Sequence, residues 1–243
     1  MREINIFDIK FIDANVDEIY NEIEKGGFMI APSAPSLTLL ELDENYRASM
    51  KNSNFAIFDS SLLCLLLLLI CGIKVQKISG LKFLKFFLEK VKYYESDSVF
   101  LIDPTLRDMQ KNRMLINSHR YQLQESHQYM APIYNKGPIT DIELLKLLEK
   151  LRPKWILINL GGGVQEMLAD YIKSNISFKT SILCTGAAIA FITGEQAKIP
   201  AIIDRMCLGW LMRCLVDGKR FIPRYIKGLK IVPMLMRTQV KIK

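Results

Sequence analysis

Apolar residues fall into two rhythms along the chain. Five short runs are apolar almost throughout: Phe28–Ala31, Phe55–Phe58, Val99–Ile102, Trp155–Leu160 and Ser181–Thr185. Their length suits strands, and the lack of polar alternation suits central strands covered on both faces. Longer stretches with helical spacing separate them: Val16–Lys25, Leu37–Asn52, Leu62–Cys71, Leu81–Tyr94, Leu106–Ser118, Asp141–Leu151 and Val164–Lys173. Thr140, followed by Asp141 and Glu143, supplies a helix-start signal. Strand–helix alternation with short connections predicts an α/β fold with much parallel pairing. The run LLCLLLLLIC, containing Leu62–Ile70, is too short for a bilayer, which needs about 20 apolar residues. It is expected as a helix buried on nearly every side.

After Gly194 the rhythm is lost, which puts a boundary near Gln196 between a body of residues 1–196 and an appendage of residues 197–243. From Ala197 the chain carries eleven bases and two acids, a net +9 that exceeds the +8 of the whole chain and leaves the remainder near neutral. A basic tail implies an anionic partner: nucleic acid, anionic lipid or a phosphorylated substrate. Arg213, Arg220 and Arg224 are spaced by seven and four, which places them on one helical face unless Pro223 breaks the helix. Trp210, Phe221, Ile222 and Tyr225 add interfacial surface. The combination suits either a membrane surface with anionic or diphosphate headgroups or a simple solvated face.

The five cysteines sit in apolar stretches and only two histidines are present, so core packing in a reducing compartment is expected, with no metal. The charged start of the chain has no signal-peptide pattern.

Open α/β sheets bind ligands in the loops after strand carboxyl ends. Ala31-Pro32-Ser33, Asp59-Ser60-Ser61 and Gly161-Gly162-Gly163-Val164-Gln165-Glu166 occupy such loops. Asp59 stands where a carboxylate can take a proton from a hydroxyl nucleophile, and equally where it could cap the next helix. The triple glycine permits close approach to a phosphate at a helix N-terminus, or is a plain tight turn. It matches neither the GxGxxG fingerprint nor a P-loop. Gln165 and Glu166 open the following helix. Thr185-Gly186-Ala187-Ala188 is small enough for close packing or close ligand approach.

Together these segments resemble the WecG/TagA/CpsF glycosyltransferase family over nearly the whole chain, most strongly from Trp155 to Tyr225. NLGGGVQEM, CTGAAIAFITG and CLGWLMRCLVDGKRFIPRY correspond to its G-x-G-x-P-x-Q-E, G-x-G-x-x-F-x-x-x-x-G and G-L-E-W-x-x-R-L segments, with Phe191, Gly194, Trp210, Arg213, Arg220, Arg224 and Tyr225 in register. FAIFDSSLLCLLLLLICGIKVQKISGLKFL resembles its aspartate, buried helix and V-x-R-x-x-G-x-D segment. The resemblance implies a Rossmann-like, largely parallel sheet with flanking helices and a basic, apolar appendage that docks on the membrane. It also implies inverting transfer from a UDP-sugar to a polyprenyl-diphosphate-linked glycan, without a metal or other cofactor. It gives Asp59 the role of catalytic base. Donor contacts fall to Ser33, Lys77, Gly161, Gly162, Gly163, Gln165 and Gly186, and diphosphate or membrane contacts to Arg213, Arg220 and Arg224. The chain departs from the family pattern at Ala31, Ser33, Ser60, Lys77 and Gly209.

The expected setting is the cytoplasmic face of the cell membrane, bound peripherally to an anionic surface and without nucleic acid. A homo-oligomer is compatible with the sequence. Two alternatives differ in class: an inactive paralogue that scaffolds polysaccharide assembly, and a nucleic-acid-binding protein that uses the basic tail.

Overall fold

The structure is a computed structural model that describes residues 1–186, 188–192 and 218–243. Its strands are β1 (Arg2–Ile6), β2 (Ile9–Asp13), β3 (Gly27–Ile30), β4 (Phe55–Ile57), β5 (Val99–Asp103), β6 (Gln128–Met130), β7 (Trp155–Ile158), β8 (Ser181–Cys184) and β9 (Lys241–Ile242). They form one sheet in the order β6-β5-β7-β8-β3-β4-β2-β1-β9. The seven strands from β6 to β2 are parallel, and β1 is antiparallel to both β2 and β9. The parallel strands therefore end on one common edge, as the α/β expectation requires.

The helices are α1 (Val16–Ile23), α2 (Ala34–Leu37), α3 (Glu44–Asn52), α4 (Ser61–Cys71), α5 (Gly80–Val91), α6 (Leu106–Ser118), α7 (Ile142–Leu151), α8 (Val164–Asn175), α9 (Ala188–Ile192), α10 (Gly218–Gly228) and α11 (Ile231–Arg237). Period-two geometry splits β3 between two cores: Phe28 and Ile30 face one, Met29 and Ala31 the other. The first core takes buried side chains from α2, α3, α4, α7, α8 and α11. The second takes them from α1, α5, α6 and α9. The result is a sheet covered on both faces, which explains the unbroken apolar strands.

Several expectations change. The N-terminus forms a hairpin, with Phe7 and Asp8 both at positive φ in its turn. The helix expected over Leu37–Asn52 is broken: a 3₁₀ turn at Thr38–Glu41 follows α2, and Asp43 caps a fresh helix by accepting from the Tyr46 N–H. Asp141, not Thr140, caps α7 through the Leu144 N–H. The apolar helix α4 is buried only on its first turns. Leu68, Leu69 and Ile70 are 47%, 71% and 40% exposed.

The boundary near Gln196 lies outside the described residues. The end of the chain is described, and it returns to the body. α11 inserts Ile231, Met234 and Leu235 into the first core, and β9 pairs with β1. Pro223 lies within α10 without ending it. Among the described residues no helix is long and apolar enough to cross a membrane.

Candidate active site

The carboxyl ends of β3, β4, β7 and β8 supply the loops in which the sequence places chemistry. After β4, Asp59 is half-buried, and its Oδ1 accepts the backbone N–H of Gly80 at 2.8 Å. Asp59 is thus not the cap of α4. That task falls to Ser60, whose Oγ accepts from both the Leu63 and Ala34 N–H groups at 3.2 Å. One serine thereby ties the loop after β3 to the loop after β4 and leaves Asp59 turned toward α5.

Gly80 is the first residue of α5 and is buried where three loops meet. A Cβ placed there would lie 2.8 Å from the Thr185 carbonyl oxygen, 3.4 Å from Thr185 Cβ and 3.5 Å from Ala31 Cβ. Glycine is required by space rather than by dihedral angle. The approach brings Ala31, Asp59 and Thr185, the residues ending or following β3, β4 and β8, around one helix N-terminus. The α4–α5 connection that carries Lys77 is pinned along its length. Arg2 donates to the Lys74 carbonyl at 2.6 Å, the Gln76 N–H to Asp13 at 2.7 Å and the Ile78 N–H to the Phe58 carbonyl at 3.2 Å. Lys77 is half-buried in this connection, three residues from Gly80.

The triple-glycine loop is a second cluster on the same edge. Gly163 has φ +101°, a conformation that excludes most side chains. Its N–H donates to Glu166 at 2.7 Å, the reach-back half of a capping box. Glu166 is fully buried and also accepts from Gln165 Nε2 at 2.9 Å. Burial raises its pKa despite these bonds. Gln165 is buried as well, and its Oε1 accepts the Gly186 N–H at 3.0 Å. Gly186 itself has φ +64°. The glutamine therefore welds the loop after β7 to the loop after β8. Gly162 faces Ser36, whose Cβ would be 3.6 Å from an added methyl.

Ser33 is the N-cap of α2, accepting the Ser36 N–H at 3.3 Å. The C-terminal end of α10 packs on that same helix, since a Cβ at Gly228 would stand 3.2 Å from Pro35. Arg220 and Arg224 belong to α10, so the basic helix is anchored beside the edge that holds the glycine loop. Arg213 lies outside the described residues.

A third feature on this edge was not read from the sequence. Asp103, which ends β5, is wholly buried and accepts from Asn112 at 2.6 Å and Asn159 at 2.7 Å. Its other oxygen and Asn159 Oδ1 have no partner among the described residues. Burial pushes the Asp103 carboxyl up to about 6. An acid at the end of an apolar strand and an asparagine at the end of the neighbouring strand were the available signal. Glu166 and Gly80 were visible only as a helix-opening residue and as part of a longer motif.

A model described as "Glycosyl transferase WecG/TagA/CpsF family" matches residues 4–243. Curated relatives include three proteins of Staphylococcus aureus, from strains NCTC 8325 / PS 47, COL and MSSA476. Each is named N-acetylglucosaminyldiphosphoundecaprenol N-acetyl-beta-D-mannosaminyltransferase. This chain is 23% identical to each over 158 residues, which cover 63% of the chain and 56% of the relative. The chain thus spans little more than half the length of the curated relatives it matches.

Proposed function

Because the chain belongs to the WecG/TagA/CpsF glycosyl transferase family, we propose that it moves a hexose derivative from a UDP-sugar onto a polyprenyl-diphosphate-linked glycan. The observation that carries this reading is the placement of Asp59. Its carboxylate is oriented by the Gly80 N–H at the point where the loops after β3, β4 and β8 converge. A sugar hydroxyl is a weak nucleophile while neutral. A positioned carboxylate relieves that by taking its proton as the oxygen attacks.

In the proposed single displacement, the acceptor oxygen attacks the anomeric carbon, its proton passes to Asp59, and UDP departs from the opposite face with inversion. The leaving diphosphate needs charge or N–H groups near it. The N-terminus of α8, with the backbone of Gly161, Gly162 and Gly163, suits that task, and Lys77 supplies a cation on the Asp59 side. Gln165 and Gly186 fix the spacing of two donor-facing loops, and Ser33 holds the start of α2 beside them. The relatives' names specify a lipid-diphosphate acceptor and a mannosaminyl group. Adopting the acceptor class for this chain fits the position of α10, whose Arg220 and Arg224, with Arg213, are assigned to the diphosphate or the membrane surface. The sugar is left open, because Ala31 and Ser33 stand where the family carries larger polar groups.

The proposed setting is peripheral, on the cytoplasmic face of the membrane where both substrates meet. The test is a panel of UDP-sugars offered with a polyprenyl-diphosphate-linked sugar, read by the mass of the lipid product. A product one sugar residue heavier supports the reading. No transfer from any donor, with the protein folded, favours the inactive scaffold.

A further inference from the structure

The last turn of α4 should be sealed if the helix served only the core, and it is not. Leu68, Leu69 and Ile70 are all exposed at its end. α11 packs against α4, and α10, which leads into it, exposes Ile222 and Ile226, with Leu229 exposed just beyond its end. Ile222 and Ile226 are one helical turn apart and share a face.

The two chain segments that carry these residues hold bases and no acid. From Ser60 to Ser79 the chain contains Lys74 and Lys77 and no acid. From Gly218 to Arg237 it contains six bases and no acid. Lys74, Lys219, Lys227 and Lys230 are exposed. Apolar side chains of this size rimmed by cations match the two layers of an anionic lipid surface, acyl chains below and phosphates above. A second copy of the chain would be a poor occupant, because an isologous contact would set like charges against each other.

We infer that the exposed end of α4, at Leu68, Leu69 and Ile70, is a membrane-insertion point that acts together with the basic helix α10 on anionic lipid. α4 begins directly after Asp59 and Ser60, so docking through its far end fixes how the carboxylate faces the lipid surface. This inference rests on the proposed transfer to a lipid-linked acceptor, and its test is independent of turnover. Electrostatic attraction weakens with salt, whereas apolar insertion does not. The two contributions are therefore separable.

The experiment is co-sedimentation of the full chain with vesicles of phosphatidylcholine alone, or mixed in equal parts with phosphatidylglycerol, at low and high salt. The proposal expects binding to the mixed vesicles with a salt-resistant remainder. Leu69→Glu/Ile70→Glu should lower affinity about tenfold and abolish that remainder. Lys227→Glu/Lys230→Glu should remove mainly the salt-sensitive part. Both pairs are exposed, so circular dichroism should be unchanged. Wild-type vesicle binding by the α4 variant overturns the inference. So does a wild-type dimer in sedimentation velocity that the α4 variant converts to monomer, since the patch then belongs to a second copy. If vesicle binding behaves as expected but no donor is turned over, the transfer reading fails and the docking surface stands.

Discussion

The backbone N–H of Gly80 donates to Oδ1 of Asp59 at 2.8 Å, joining the loop after β4 to the first residue of α5. The bond orients the carboxylate, and the lack of a side chain at Gly80 lets α5 approach Thr185 closely enough to make it. Gly80→Ala should break this arrangement. Its Cβ would meet the Thr185 carbonyl at 2.8 Å, a backbone atom that cannot swing aside. A loss of about 1–3 kcal/mol in stability is expected from overpacking, together with slower transfer. Thermal unfolding and turnover of the variant measure both.

Gln165→Ala should loosen the donor loops. The side chain bridges Gly186 and Glu166, so its removal leaves a buried carboxylate with one bond fewer and an N–H without its acceptor. Leaving such groups unmet costs about 1–3 kcal/mol. The expected result is a lower melting temperature and weaker UDP affinity by calorimetry. Unchanged affinity would place the nucleotide elsewhere.

Asp103 predicts a pH dependence of stability. Its carboxyl is raised to about 6 in the fold from 3.8. For an acid whose folded pKa lies above its unfolded value, the stabilising form is the protonated one. That contribution is complete below pH 4 and lost as the pH climbs through about 6. A shift of this size corresponds to about 3 kcal/mol. Protonation also turns an oxygen that has no partner among the described residues into a donor. Asp103→Asn, which is neutral at every pH, should flatten this part of the stability profile in urea titrations between pH 4 and pH 7. An unchanged profile would assign the dependence to other groups, Glu166 first among them because burial raises its pKa too.

The end of the chain should prove structural. Ile231 is fully buried in the core shared with α4 and α8. Ile231→Ala should cost about 2–5 kcal/mol through lost contacts and a cavity. Deletion of α11 and β9 should lower the melting temperature further, since it also strips one of the two strands paired with β1. A truncated protein as stable as the full chain would show that these elements contribute nothing to the body.

The parts of this fold legible in the sequence were those with one dominant rhythm. β3, β4, β5, β7 and β8 are covered on both faces, so their apolar runs are unbroken. The hairpin of β1 and β2 was missed because Phe7 and Asp8 make its turn without glycine or asparagine, although polar and apolar residues alternate along β1 as in a strand covered on one face. β6 has only three residues at a sheet edge. In the site, Asp59 and the glycine loop were visible as residues placed after strands. Ser60 as the true cap of α4, the inward turn of Glu166 and the tight fit of Gly80 depend on which loops meet across the sheet. Spacing along the chain does not carry that information.

The central claim is that Asp59 takes the acceptor proton, and substitution by asparagine tests it most directly. Asparagine keeps an oxygen able to accept the Gly80 N–H, so the fold and UDP binding should be retained. The amide cannot act as the base, so single-turnover transfer to the lipid-linked acceptor should fall by about 10²–10⁴-fold. Transfer at the wild-type rate by a folded Asp59→Asn protein would contradict the account and leave Asp59 as an anchor for the start of α5.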